Sequence, residues 1–224
     1  MEAKIRKDKT MCGRFVMLTA DEVADAVAAV EQRRRLRTLD GGIARSQAFP
    51  GSAITTIGVD GSTGALEMSE RIWGFAPEWS TRPIFNTRIE KAYGGSGMWG
   101  AMIRNGRCII PAAAFFEPHM SETVPSPRTG KPLKRPYLFT APDAEPLLLA
   151  GLRNGDRCSV ITTEPNRWVA PIHNRMPLLL RFEEVAAWLE AGEAPTDRTS
   201  FELAVQPEAI DPPPALTSEQ LSLF

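Results

Sequence analysis

A chain of 224 residues with 43% hydrophobic content has enough apolar mass to fill one large core, and a single domain is expected. Its 26 basic and 27 acidic residues leave a formal charge of −1, so no global field draws it onto nucleic acid or anionic lipid, and any nucleic-acid site must be a local cluster. No apolar run approaches the roughly 20 residues of a membrane span, and the N-terminal region lacks a secretory signal's apolar stretch, so a cytoplasmic protein with no membrane partner is expected.

The chain opens with "MEAKIRKDKT", which is polar and has no packing pattern, followed by "MCGRF" at residues 11–15. Thr19 with Glu22 three positions on reads as a capping box, and "ADEVADAVAAVEQRRRL" places Val23, Val27 and Val30 at helical spacing. The basic end of this helix, Arg33, Arg34, Arg35 and Arg37, suits either a solvated C-terminal turn or a phosphate. From Ile43 to about Gly74, short β-type segments such as "SAITTIGVD" broken by Gly and Pro predict an antiparallel meander. "RCIIPAAAFFE", "PYLFTA", "PLLLAGL", "CSVITT" and "MPLLLR" predict further strands, and "FEEVAAWLEA" predicts a second helix that stops at Gly192.

These elements add up to an α+β fold: a single strand-rich domain, mostly antiparallel sheet in a barrel-like core with a few flanking helices. Residues 207–224 form a Pro-rich tail, semi-rigid at "DPPP". Three scattered cysteines, Cys12, Cys108 and Cys158, and two histidines, His119 and His173, match neither a disulfide framework nor a zinc site. Reduced thiols, no metal and no cofactor are expected.

Four polar stretches place a reactive or phosphate-seeking side chain beside Gly, Pro or aromatic residues: "MCGRF", "FNTRIE", "FFEPH" and "IHNRMP". Taken singly, each has a plain reading. Cys12 suits a small core hydrophobe, Asn86 a turn, Glu117 a surface carboxylate and His173 a buried, hydrogen-bonded histidine.

Taken together, in order, they resemble the SRAP family, the abasic-site processing proteins first described as SOS-response-associated peptidases. The resemblance rests on "MCGRF" at 11–15, "WGFAPEW" at 73–79, "NTRIE" at 86–90, "RCIIPAAAFFE" at 107–117 and "IHNRMP" at 172–177. It implies a domain at residues 12–206 that senses abasic sites in single-stranded DNA and forms a covalent thiazolidine through an N-terminal Cys12. It also implies lyase-like chemistry and autopeptidase activity. The chemistry is coherent, because a terminal α-amine with a pKa near 8 is partly neutral at pH 7 and attacks an aldehyde, and the thiol on the next carbon then closes a five-membered ring.

By the same resemblance, Glu117 is the acid/base carboxylate, His173 a second proton mover and Asn86 the residue that orients the amine or the opened sugar. Arg14, Arg88 and Arg175 would grip phosphates, Pro50 and Trp73 would offer faces to flanking bases, and Thr162 joins the DNA-binding set. For Trp73 a place in the core is an equal alternative. A nucleoid-associated monomer is implied.

Three departures from the family pattern stand out. Pro118 follows Glu117 where the family usually has Trp, the segment between Trp79 and Asn86 is short, and residues 1–11 would lock the required amine into a peptide bond. Residues 1–11 are expected to be an N-terminal extension that is removed or not translated in the active form. The last five residues, "QLSLF", resemble the pentapeptide by which bacterial replication and repair proteins dock on the sliding clamp, with Gln220 for hydrogen bonds and Leu221, Leu223 and Phe224 for an apolar pocket. The plainer alternative is a tail packed on its own domain. Two other functional readings stay open: a cysteine peptidase acting on other proteins, and a non-catalytic single-strand-binding clamp adaptor.

Overall fold

In a computed structural model the described residues are 12–32, 37–41, 44–95, 97–195, 197–198 and 200–210. The extension at 1–11, Arg33 to Arg35 and the QLSLF tail lie outside them. Strand β1, Arg14–Met17, leads to helix α1, Ala20–Glu31. The predicted capping box is present: the Glu22 N–H donates to the Thr19 hydroxyl at 3.3 Å, and the Thr19 N–H donates to the Glu22 carboxylate at 2.9 Å. Val23, Ala26 and Ala29 form the buried stripe, with Val27 and Val30 packed beside it.

Next come β2, Gln47–Ala48; β3, Ala53–Val59; β4, Leu66–Trp73; and β5, Asn86–Arg88. The expected meander reduces to one antiparallel hairpin, β3 with β4, because β2 pairs back onto β1 and β5 runs parallel to β9. Two helices missed in the sequence come next, α2, Ile89–Tyr93, and α3, Gly97–Asn105. Both are short and hemmed by glycines, so local propensity is weak. Burial of Ile89, Ala92, Met102 and Ile103 in the core holds them instead.

Strand β6, Arg107–Pro125, runs well past the predicted end at Glu117 because it finds partners in succession. Arg107 to Ala112 pair with β8, Leu147–Asn154; Ala112 to Phe116 pair with β1; and Phe115 to Pro125 pair with β7, Pro132–Thr140. Pro118 has no N–H for the ladder, and the β6–β7 register shifts between Pro118 and Thr123. Next come β9, Arg157–Thr163; β10, Met176–Pro177; and β11, Leu179–Leu180. "MPLLLR" makes two short strands instead of one, because the chain crosses from β9 to β8 at Leu178, whose N–H goes to Ile161 and whose carbonyl accepts from Ala150.

The predicted second helix is present but uneven: a 3-10 turn at Phe182–Glu184 leads into a π-helical turn at Ala187–Ala191. Tertiary hydrogen bonds act on this stretch. The Trp188 indole donates to Cys108 O at 3.0 Å, and the Arg107 guanidinium donates to the carbonyls of Leu189 and Glu190. Gly192 ends it at φ 71°, a left-handed stop as predicted. Strand β12, Ala204–Pro207, then lies antiparallel on β7.

Among the described residues the strands form one sheet of twelve, antiparallel except where β4 and β5 meet β9. The α+β architecture with flanking helices is as expected, but the barrel-like closure is not found. The strand path β11-β8-β9-β4-β3-β6-β1-β2 has two free ends, and an extra β6–β8 ladder cross-links it internally. One core cluster holds Phe15, Trp73, Phe115 and Phe139, a second holds Ile57, Ile109 and Trp188 with residues of the helices, and a small third holds Leu18, Val23 and Ala113. Among the described residues no helix is long and apolar enough to cross a membrane.

Candidate active site

The site is built at the head of β1. The β1–β6 register sets Phe15 opposite Phe115 and Arg14 opposite Phe116, so Cys12, just ahead of the ladder, arrives beside Glu117. The Cys12 N–H donates to both carboxylate oxygens of Glu117, at 2.9 and 3.0 Å. Cys12 and Glu117 are fully buried. Burial pushes the Glu117 carboxyl well above the usual carboxylate range, with the bond from Cys12 N–H opposing. Burial, and then the neighbouring Glu117 charge, push the Cys12 thiol up as well, against a bond from the Arg14 N–H.

Asn86 opens β5, which lies parallel to β9, and its side-chain amide donates to the Cys12 carbonyl at 3.1 Å. His173, also buried, has Nδ1 3.7 Å from Glu117 Oε2. The same nitrogen lies 3.0 Å from Arg175 O and 3.2 Å from Arg175 N, so its tautomer selects between donating to the carbonyl and accepting from the amide. The four residues singled out for chemistry are therefore brought together from the segment leading into β1, from β5, from β6 and from the loop before β10.

That loop depends on a residue the sequence reading passed over. Asn166 is buried, its Oδ1 accepts from the Trp168 and Val169 N–H groups, and its amide donates to Phe201 O at 2.8 Å. Val169 O in turn accepts the His173 N–H at 2.8 Å. The run from Asn to Val has the form of an Asx turn, a signal available in "EPNRWV".

The residues singled out for DNA are placed unevenly. Arg88 is exposed at the end of β5, and Pro50 is half-buried in the turn beside Trp73, where the Gly51 N–H donates to Trp73 O. Trp73 itself is a core residue. Its ring packs 4.9 Å from that of Phe15, its indole donates to Phe85 O, and it has no exposed face for a base. The other tryptophan of the motif, Trp79, is 70% exposed.

Arg175 is buried, donates to both oxygens of Glu90 at 2.9 and 3.1 Å, and reaches Thr162 O at 2.6 Å. The Thr162 side chain is buried, with no hydrogen-bond partner for its hydroxyl among the described residues. Arg14 makes a two-pronged ion pair with Glu208, its guanidinium stacked 3.6 Å over the Phe116 ring. Gly13 and Pro118, the chain neighbours of Cys12 and Glu117, line an apolar groove of about 710 Å³ with Phe49, Phe116 and Pro136. Cys108 and Cys158 are free, buried thiols, the latter pushed up to about 12 by burial.

Comparison with known proteins places this site in context. Residues 11–213 match the family described as SRAP, SOS response associated peptidase. The abasic site processing protein YedK of Escherichia coli K12 is 26% identical over 188 residues, covering 80% of this chain and 79% of its own. The abasic site processing protein YoqW of Bacillus subtilis is 28% identical over 222 residues, covering 90% and 89%. Among solved structures, a phage-related protein of Bordetella bronchiseptica has a TM-score of 0.63 at 24% identity, over 88% of this chain and 94% of that one. A protein of Bacteroides thetaiotaomicron has a TM-score of 0.58 at 20% identity, over 88% and 91%. These two likenesses speak to the fold. With the family match extending over residues 11–213, the chain belongs to the SOS response associated peptidase (SRAP) family.

Proposed function

We propose that this protein processes abasic sites in single-stranded DNA by capturing the ring-opened aldehyde covalently through Cys12. The observation that carries this reading is that the buried acid of the site addresses the nitrogen of Cys12, with both Glu117 oxygens within 3.0 Å of it. A passive binder has no use for a carboxyl at that atom. The names of the relatives, abasic site processing proteins, support the same substrate.

With Cys12 as the first residue, its amine attacks the aldehyde carbon, and the amine proton passes through Glu117 to the carbonyl oxygen, giving a carbinolamine. Glu117, its carboxyl pushed by burial well above the usual carboxylate range, then protonates the hydroxyl, which leaves as water, and an iminium forms. The thiol sulfur adds to the iminium carbon and its proton is released to His173 or solvent, closing the thiazolidine. Asn86 fixes the Cys12 carbonyl, which keeps the nitrogen and sulfur in register.

The same placement suits release of residues 1–11. The Cys12 thiol gives its proton to His173 and attacks the Met11 carbonyl carbon, the peptide C–N bond breaks as Glu117 protonates the departing nitrogen, and water hydrolyses the thioester, returning the thiol and releasing residues 1–11 with a C-terminal carboxylate. Translation from Met11 followed by removal of that Met leads to the same first residue. The phosphates would be met at Arg88 and Arg14, with Trp79 as the exposed aromatic face for a base. The terminal Gln220, Leu221, Leu223 and Phe224 would carry the protein to the sliding clamp; unchanged clamp affinity after deletion of residues 220–224 rejects that part.

The test is the intact mass of the full chain after incubation with a single-stranded oligonucleotide bearing one abasic site. A stable adduct that lacks residues 1–11 is expected. If neither the full chain nor one begun at Met11 forms an adduct, the reading fails.

A further inference from the structure

The Arg14–Glu208 pair lies at the edge of the site, and its geometry bears on how the protein meets a polyanion. Arg14 is two residues from Cys12 and sits opposite Phe116, the neighbour of Glu117. Its guanidinium carbon lies 3.6 Å over the centre of the Phe116 ring, a contact that holds the cation in place without needing a partner in its fork. Both terminal nitrogens of that fork donate to the two oxygens of Glu208.

Glu208 is itself fixed. It follows β12, which is paired along its length with β7, and its N–H donates to Pro136 O at 2.9 Å. The side chains of Arg14 and Glu208 are 21% and 25% exposed, so a ligand in the adjoining groove can reach the pair. A carboxylate and a phosphodiester offer the same two-oxygen bite to a guanidinium fork, and one fork holds one of them at a time.

We propose that Glu208 is an internal competitor for the phosphate that Arg14 would bind. It keeps the cation organised beside the site while lowering the protein's affinity for undamaged single strands. Capture of a lesion is covalent and does not depend on tight reversible binding, whereas tight binding to intact strands would withhold the protein from lesions. This inference rests on the nucleic-acid reading given above. The contrast with Arg175 supports a special role for this pair. Arg175 is buried and also tied to Thr162 O, so its ion pair is part of the framework, while Arg14 has its spare face on an aromatic ring at the edge of a groove.

The experiment measures binding of a lesion-free single-stranded oligonucleotide by the full chain across a range of salt concentrations, for wild type, Glu208→Gln, Arg14→Ala and the double variant. Glu208→Gln is expected to tighten binding roughly two- to fivefold, the scale of a partly exposed ion pair. The dependence on log salt should steepen by about 0.7, one further phosphate neutralised on a single strand. Arg14→Ala should weaken binding and cancel the gain in the double variant. Glu208→Asp keeps the charge and shortens the reach, so an intermediate affinity checks that the Gln variant has not simply loosened β12. Wild-type binding that Glu208→Gln leaves unchanged or weakens overturns the competitor role alone. Absence of binding by every variant at low salt overturns it together with the nucleic-acid reading.

Discussion

The peptide nitrogen of Cys12 and the carboxyl of Glu117, separated by 105 positions in the chain, lie 2.9 and 3.0 Å apart through the two carboxyl oxygens, and both residues are fully buried. That contact couples stability to chemistry. Burial holds the Glu117 proton more tightly in the folded state than in the unfolded chain, where a glutamate titrates near 4.3. Above that pH the unfolded state binds fewer protons than the folded one. Stability therefore falls as pH rises from about 4.3 toward the folded pKa.

Glu117→Gln should remove this loss. Urea denaturation between pH 4 and pH 8 is expected to show the variant gaining on wild type as pH rises, while crosslinking slows by about 10²- to 10⁴-fold. Parallel stability profiles for the two proteins contradict an upward shift of the Glu117 carboxyl on folding.

Asn86→Ala removes the donor to the Cys12 carbonyl and leaves β5 in place. A lost hydrogen bond of about 1 to 1.5 kcal/mol slows crosslinking roughly tenfold. The expected result is that rate loss with a melting temperature close to wild type; a full-rate Asn86→Ala removes the orienting role.

The Glu90–Arg175 pair is asymmetric, since the Glu90 side chain is 54% exposed and that of Arg175 is 10% exposed. Glu90→Ala leaves a buried cation with Thr162 O as its remaining hydrogen-bond partner among the described residues, at a cost of about 1–3 kcal/mol in urea unfolding. Equal stability of Glu90→Ala and wild type shows that Arg175 re-solvates without strain.

Thr19→Ala removes the side-chain half of the α1 capping box and is expected to cost about 1 kcal/mol, read as a shifted urea midpoint at unchanged slope. Thr19→Ser should restore most of it.

Much of this architecture was legible in the sequence wherever the signal was local. Thr19 and Glu22 interact across one helical turn, Gly192 needs only its own left-handed φ, and "SAITTIGVD" and "CSVITT" carry enough β-branched residues to be strands anywhere. Helices α2 and α3 were not legible, because burial by distant partners stabilises them. The end of β6 was not legible either, because β7 supplies the ladder that carries it past Glu117.

The sequence by itself determined the family's motifs and the identity of Cys12, Asn86, Glu117 and His173, since reactive side chains beside Gly, Pro and aromatic residues are recorded in the order of letters. Only the tertiary structure decided what each one faces. It turned Glu117 toward the nitrogen of Cys12, closed Trp73 into the core and left Trp79 outside, tied Arg175 to Glu90, and set Glu208 in the fork of Arg14. The physical reason is that burial and ion pairing depend on through-space distance, and the β1–β6 and β7–β12 ladders bring together residues that the linear chain keeps more than a hundred positions apart or, for Arg14 and Glu208, at opposite ends of the domain.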